Sequence, residues 1–445
     1  MRRFVVLILL CVCLLSTETS FARNREKQRS EVLSRNQGCY KDVFMNGGIY
    51  LTSRRDLPIT RYLGLSIDYF VSDVDNEVTD IDSIQRVQTN IFCGYEEDTN
   101  GWLLYPDGEP RFRMVYFNGG SAGLHGESLT EKGRANVQQY IANGGSYLGT
   151  CAGMFIASKG AINRKNQVEK TDRYLNIWPG ITKSSNLRKS RTSMKVEKRS
   201  PLLRYYDFGG DMRVDSVYHN GGGYIYYGEN SIVPKGTEPL MRYIFKNNDS
   251  VKINNEVSTW AYKHNAESGR VVVTGSHPEG ITQGERLDYM AAMALYALDG
   301  NAPARIKGEL SIGELREMNL RTEDGKPEYT RIGDRQYHHF VVNIPKGCKN
   351  AVVLLKGYEF EHNFTLSLCA NHGSMAYHSN APHQVVSKGC NKKLIIANPN
   401  PGKWYVSVFC ETTVEAVVGK HGTTYQGCIE VLNGVPYSIE VDVEK

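Results

Sequence analysis

The run Gly149-Thr150-Cys151-Ala152-Gly153 constrains what this chain can fold into more than any other stretch. A cysteine flanked at two residues' distance by glycines, after Gly145-Ser146-Tyr147-Leu148 and before Met154-Phe155-Ile156-Ala157, reads as strand, sharp turn and helix. That is a nucleophile elbow with sulfur in place of oxygen. The glycines permit a strained turn and close approach of neighbouring chain, and the helix that follows turns its first N–H groups toward the thiol. Alone, such a cysteine is more often a small buried apolar residue. A second run changes the balance. Val271-Val272-Val273-Thr274 is a strand pattern that leads into Ser276-His277-Pro278-Glu279. His277 is placed to act as base toward Cys151, and Glu279, two residues on, to orient the imidazole.

The chain has 445 residues, too many for one ordinary core, which predicts two domains. Residues 1–22 read as a secretory signal peptide: Arg2-Arg3, an apolar run from Phe4 to Leu15, and Ser20-Phe21-Ala22 with small residues at the positions a signal peptidase inspects. The apolar run is too short to span a bilayer comfortably, so a secreted, extracellular protein with no membrane span is expected. The formal net charge of +5 is too modest to call for nucleic acid or a membrane surface. Outside the signal lie Cys39, Cys93, Cys151, Cys348, Cys369, Cys390, Cys410 and Cys428, for which an oxidising compartment makes disulfides the default. Five of these follow residue 340, so cross-links are expected mainly toward the C-terminus. Asn248-Asp249-Ser250 and Asn363-Phe364-Thr365 are glycosylation acceptors in a eukaryotic secretory pathway.

Apolar runs alternate with amphipathic stretches through the first three hundred or so residues, as in an α/β domain. Strands are expected at Asp42 to Tyr50, Leu65 to Val71, Phe112 to Phe117, Ser146 to Gly149 and Arg270 to Thr274. Helices are expected at Asp80 to Ile91, Thr130 to Asn143, Ala152 to Ser158 and Gln283 to Leu298, with Thr130 as an N-cap and Asn143-Gly144-Gly145 as a stop. The strand ending at Gly119-Gly120, the helix after it and the strand ending at Cys151 form one βαβ unit. The glycine pair and the cysteine therefore share the carboxyl edge of a parallel sheet, where open α/β folds keep their sites. Residues 301–330 are charged and thinly apolar and read as a linker. From 331 to 445 the pattern becomes closely spaced strands, from Tyr337 to Ile344 through Tyr437 to Val443, broken by turns such as Asn398-Pro399-Asn400-Pro401-Gly402, and a β-sandwich is expected.

Acyl transfer needs donors for the oxyanion as well as a nucleophile and a base. The backbone N–H of Ala152 follows from the elbow, and Gly119-Gly120 offers another. Gly119, with Asn220, Gly221 and Gly222 from the run Tyr218-His219-Asn220-Gly221-Gly222-Gly223-Tyr224, is a candidate substrate contact, because glycines let backbone approach a ligand. The same run also fits a hairpin turn. His219 competes as a base, but His277 has a carboxylate beside it. Lys183 to Arg199 holds seven Lys or Arg and one Glu and reads as a solvated loop. The histidines His338, His339, His362, His372, His378 and His383 lack the spacing of a zinc site, so no metal is expected, and no cofactor.

Phe117-Asn118-Gly119-Gly120, the stretch from Asn143 to Gly153, Trp178-Pro179-Gly180, Asn220 to Gly223 and Val273 to Glu279 occur in the order found in the N-terminal domain of biotin–protein ligases. Residues 38–300 as a whole resemble class I glutamine amidotransferases. The resemblance implies an α/β, flavodoxin-like fold, a triad of Cys151, His277 and Glu279, and oxyanion donors at Gly120 and Ala152. Asn118 stands where amidotransferases usually have proline, and the chain lacks the Gly-Arg-Gly-rich adenylate loop of biotin transfer, so biotin ligation is not expected. Residues 331–445, with Asn400-Pro401-Gly402-Lys403-Trp404-Tyr405, look like the pre-peptidase C-terminal β-sandwich of secreted hydrolases. That likeness implies an accessory role, including a cell-surface or matrix partner. Two functions follow: a secreted cysteine hydrolase of a small-molecule amide or a peptide, or a non-catalytic binding protein on a retired amidotransferase scaffold.

Overall fold

The computed structural model describes residues 20–35, 38–48, 52–70, 91–93, 101–162, 165, 167–168, 172–228, 231–245, 253–358, 363–419 and 421–445. Of the expected signal peptide only residues 20–22 fall within these, at the start of a helix, α1, over residues 20–34. The expected helix from Asp80 lies outside them except for residue 91, which is helical.

The centre of the molecule is a run of parallel strands: β1 (Lys41–Asn46), β2 (Ile67–Phe70), β3 (Phe112–Phe117), β4 (Ser146–Thr150) and β12 (Arg270–Thr274), side by side in the order β2-β1-β3-β4-β12. These strands are apolar on both faces, as a sheet covered on both sides must be. Side chains alternate along each strand, so Val43, Met45, Met114, Tyr116, Leu148 and Val272 pack into one core while Phe44, Val115, Phe117, Tyr147 and Val273 pack into the other. The first core is closed by α6 (Glu285–Leu298) through Leu287, Met290 and Met293. The second is closed by α4 (Thr130–Ala142) through Val137, Tyr140 and Ile141. The C-terminal stop is where it was expected, with Asn143 as the cap and Gly144 leaving at φ 106°, but at the start Leu129 occupies the cap position and Thr130, expected there, is the first helical residue, at φ 61° with its hydroxyl accepting from the Gly133 N–H at 3.5 Å.

Beyond β12 the sheet turns antiparallel through β11 (Val257–Lys263), β10 (Thr237–Ile244), β7 (Ser190–Val196) and β8 (Arg213–His219). A small sheet joins β5 (Ser158–Ile162), β6 (Trp178–Ser184) and β9 (Gly223–Ile225). The domain is thus a mixed α/β sheet with more strand than the sequence reading allowed. Lys183 to Arg199, expected as a solvated loop, carries the end of β6 and all of β7. Thr192, Met194 and Val196 face the core while Arg191 and Lys195 face out, so the cations are the outer half of an amphipathic strand. Nor is the glycine run after Tyr218 a hairpin: β8 pairs with β7, and β9 pairs with β6.

Toward the C-terminus two sheets share one core. One holds β13 (Ile306–Glu309), β15 (Tyr337–Ile344), β20 (Gly402–Cys410), β17 (Leu366–His372) and β18 (His383–Val385), and the other β14 (Arg316–Met318), β23 (Tyr437–Glu444), β16 (Asn350–Gly357) and β19 (Lys392–Ala397). The stretch expected as a linker supplies β13 and β14. A pair of strands, β21 (Glu415–Gly419) and β22 (Gly422–Gln426), leaves these sheets and joins the edge of the first at Phe70↔Gly422. Nearby, the buried Arg111 guanidinium grips Asp334 at 2.8 and 2.9 Å and lies 3.8 Å over the Tyr40 ring. The expected disulfides are not formed: the eight described cysteines are free thiols. No helix among the described residues is long and apolar enough to cross a membrane.

Candidate active site at the carboxyl ends of three strands

Because β4 runs between β3 and β12, the residues that follow these strands emerge side by side. The elbow is stitched to both neighbours: Cys151 N–H donates to the Thr274 carbonyl at 2.9 Å, and Gly153 N–H to the Asn118 carbonyl at 3.1 Å. Cys151 has φ 47° and ψ −102°, a conformation non-glycine residues rarely hold, at a cost of ~1–3 kcal/mol. A Cβ on Gly153 would lie 2.2 Å from the Phe117 carbonyl oxygen, and one on Gly149 would lie 2.7 Å from the Gly153 carbonyl. The flanking glycines are therefore required sterically. The following helix, α5 (Ala152–Ala157), is less than two turns long.

His277 Nδ1 is 2.8 Å from Glu279 Oε1, the carboxylate fully buried and the imidazole nearly so. That bond leaves Nε2 buried without a hydrogen-bond partner, with Cys151 among the groups near enough to act on the imidazole. Burial works against the imidazolium, but the Glu279 charge, the hydrogen bond to Glu279 and the nearby Cys151 outweigh it and push the His277 pKa from 6.5 up to about 11. Cys151 Sγ is also 3.9 Å from the Asn220 carbonyl oxygen, and the residue is 5% exposed.

Two residues that the motifs did not point to hold this arrangement. Thr52 Oγ1 donates to Glu279 Oε1 at 2.7 Å while accepting from the Gly119 N–H at 2.9 Å and Asn118 Nδ2 at 3.2 Å. It ties the carboxylate to the end of β3. His125, on α3 (Ala122–Ser128), is buried, and its Nε2 lies 3.1 Å from the Gly119 carbonyl. Burial lowers its pKa, so the ring is neutral and donates from Nε2. In a trans peptide the N–H points opposite to the C=O, so holding the Gly119 carbonyl fixes the Gly120 N–H away from His125. Neither the Gly120 nor the Ala152 N–H bonds to another described residue.

The structure thus gathers Cys151, His277, Glu279, Gly119 and Asn220 by direct contact, with Gly120 and Ala152 adjacent in the chain. Gly221 and Gly222 do other work. Gly221 N–H donates to the Leu187 carbonyl at 2.6 Å, and a Cβ on Gly222 would lie 1.8 Å from the Gly275 carbonyl oxygen, so these glycines serve backbone packing. His219 is not a rival base: it is fully buried, bonded to Thr192 Oγ1 at 2.6 Å, and burial followed by the charge of His277 lowers its pKa to about 3. Among the described residues no three His, Cys, Asp or Glu side chains converge as metal ligands. A cavity of about 580 Å³ beside Cys39, Glu109, Tyr337 and Tyr377 lies at the junction with the C-terminal sheets and touches none of the candidate residues.

Residues 108–301 match the family model described as biotin-protein ligase, N terminal. This is the resemblance the motifs carried. The match takes in Gly119, Cys151, His277 and Glu279 and leaves out Thr52. Among curated proteins none matches the chain. Among solved structures, a glutamine amidotransferase is similar at 14% identity and a TM-score of 0.32, over 57% of this chain and 98% of its own. PurLQS from Thermotoga maritima is similar at 12% identity and 0.33, over 57% and 99%. The pre-peptidase C-terminal domain of a collagenase from Bacillus anthracis is similar at 12% and 0.19, over 32% and 99%.

Proposed function

We propose that the chain is a secreted cysteine-dependent hydrolase of amide or peptide bonds on a flavodoxin-like scaffold of the amidotransferase kind. One observation carries this: the His277–Glu279 bond of 2.8 Å turns the free imidazole nitrogen toward a thiol held on a strained, glycine-flanked elbow. The strand order β2-β1-β3-β4-β12 supports the scaffold, since it follows the 2-1-3-4-5 order of flavodoxin-like sheets, whose sites lie at carboxyl strand ends. We read residues 38–300 and 331–445 as the two domains, the second an accessory sandwich with a cell-surface or matrix partner, and residues 1–22 as the export signal.

In the reaction, the Cys151 thiolate attacks the amide carbonyl and forms a C–S bond. The Gly120 and Ala152 N–H groups hold the oxyanion, each such donor lowering the barrier by ~3–4 kcal/mol. The C–N bond breaks as His277 gives its Nε2 proton to the leaving amine. Water then attacks the thioester, losing a proton to His277, and releases the carboxylic acid.

The rival, a binding protein without turnover, draws on the burial of Cys151 at 5% exposure. Iodoacetamide labelling across pH separates the two. A catalytic Cys151 alkylates well below pH ~8.5, the range of an ordinary thiol, and its rate falls when His277 is replaced by alanine. Labelling that tracks an ordinary thiol and ignores His277 sinks the hydrolase.

A further inference from the structure

A basic surface leads away from His277 along the outer face of β7 and β8. Arg191 pairs in register with Tyr218, the Tyr218 ring lies 5.8 Å from the His277 ring, and the Arg191 guanidinium lies 5.8 Å from the Tyr218 centroid. Arg191 donates only to a neutral acceptor, the Ser216 carbonyl at 3.0 Å, and no described carboxylate pairs with it. The turn before β7 adds the exposed Arg188 and Lys189. That turn is fastened to the loop touching Cys151 by Gly221 N–H on the Leu187 carbonyl at 2.6 Å and Ser185 N–H on the Gly222 carbonyl at 3.0 Å. From the opposite side come exposed Arg54 and Arg55, next to Ser53, whose hydroxyl donates to the Glu279 carbonyl at 3.3 Å.

The nearby acids do not neutralise this surface. Asp215 is taken by Arg213 at 3.1 Å and by the Ser193 hydroxyl, and Asp56 by Arg61. Glu285 packs against Gly209 and lies among Asp211, Asp215, Asp288 and Asp207, an acidic group beside the far end of β8. Cations left unpaired on two sides of one site focus a positive potential there and raise the local concentration of anions. An extended peptide advances ~3.3 Å per residue, so a carboxylate two or three residues from a carbonyl at Cys151 reaches the Arg191–Tyr218 wall.

We infer that the substrate of this site is acidic: a peptide or amide that carries carboxylates within about three residues of the bond cut, anchored by Arg191 across the Tyr218 ring. The inference rests on the hydrolase reading of Cys151 for its turnover, though not for its binding.

The test uses the full chain as Cys151→Ala and, separately, with Cys151 intact. Fluorescence anisotropy on Cys151→Ala compares a labelled Glu-containing peptide with its Gln and Lys counterparts at low and high salt. The Glu peptide binds about tenfold tighter, the preference fades as salt screens the charges, and Arg191→Glu abolishes it. Arg191→Lys retains part of it. The protein with Cys151 intact shows the same order in kcat/KM, and Arg191→Glu acts through KM. Equal binding of the three peptides, or a preference indifferent to Arg191→Glu while circular dichroism is unchanged, overturns the inference even if amides are cleaved. Acidic selectivity in binding with no cleavage of any peptide leaves the anionic ligand standing and removes the hydrolase reading instead.

Discussion

Gly119 and His277 are in such close contact that a Cβ on Gly119 would lie 2.4 Å from His277 Cε1 and 3.0 Å from Nδ1. The glycine at the end of β3 is thus the floor on which the imidazole rests. Gly119→Ala pushes the ring off the line between Glu279 and Cys151 by clash alone. Misplacing a catalytic group by about 1 Å typically costs ~10²-fold in rate. We expect amide turnover and Cys151 alkylation to fall together by about that factor, with the thermal transition retained; a variant with the parent's rate refutes the placement.

The raised pKa of His277 has a definite pH signature. Glu279 and Cys151 hold the ring protonated from its ordinary 6.5 up to about 11. A folded-state value above the unfolded one gives stabilisation that is complete below about 6.5 and lost as pH climbs through about 11. Glu279→Gln removes the charge that raises it most. In ¹⁵N NMR the His277 resonances of the parent titrate far into the alkaline range, and those of Glu279→Gln at lower pH. The stability difference between the two proteins should shrink from pH 7 upward, and a constant difference contradicts the assignment.

Thr52 acts through others. Its hydroxyl joins Glu279 Oε1 at 2.7 Å to the Gly119 N–H at 2.9 Å. Thr52→Val keeps the shape and strips these two bonds and the one from Asn118 Nδ2, leaving partners short of a hydrogen bond at ~1–3 kcal/mol. Spread over the imidazole and the Gly119–Gly120 peptide, this lowers kcat by roughly tenfold or more, since each tenfold is ~1.4 kcal/mol. Thr52→Ser should recover most of the loss and return the His277 titration to its parent position. A Ser variant no better than Val shows that the methyl, not the hydroxyl, matters.

How far the sequence could be read depends on how local each cause is. β3 and β12 were legible to the residue, because central strands buried on both faces write unbroken apolar runs such as Phe112–Phe117. The elbow was legible because the clash that Gly149 avoids, with the Gly153 carbonyl, acts over four residues of chain, and the glycine that the distant Phe117 carbonyl requires at position 153 falls in the same run. β7 was hidden: at the far end of the sheet only one face is buried, and Arg191 and Lys195 on the other drown the period of two set by Thr192, Met194 and Val196. Thr52 had no local signal at all, since its purpose is set by Glu279, 227 positions away. The hairpin β21–β22 shows the same limit. Its partnership with β2 at Phe70↔Gly422 is a matter of register between distant edges.

That edge pairing and the Arg111–Asp334 grip bear on whether the C-terminal sheets are a detachable module. Both charged groups are 1% exposed, and Asp334 also accepts from the Thr413 hydroxyl at 3.2 Å, while the Tyr105 hydroxyl donates to its carbonyl at 3.0 Å. Removing one partner leaves the other charged and dry, which costs ~3–5 kcal/mol, whereas replacing both by apolar groups of similar size is often neutral. Asp334→Ala should therefore lower unfolding stability by that amount, and Arg111→Met with Asp334→Leu should regain most of it. Since the pair lies between the two halves, we expect one cooperative denaturant transition in the parent, and for Asp334→Ala a split in which the C-terminal sheets unfold separately. Two transitions already in the parent, untouched by either substitution, would mean that the halves are merely tethered and that β22 contributes nothing to the sheet it extends.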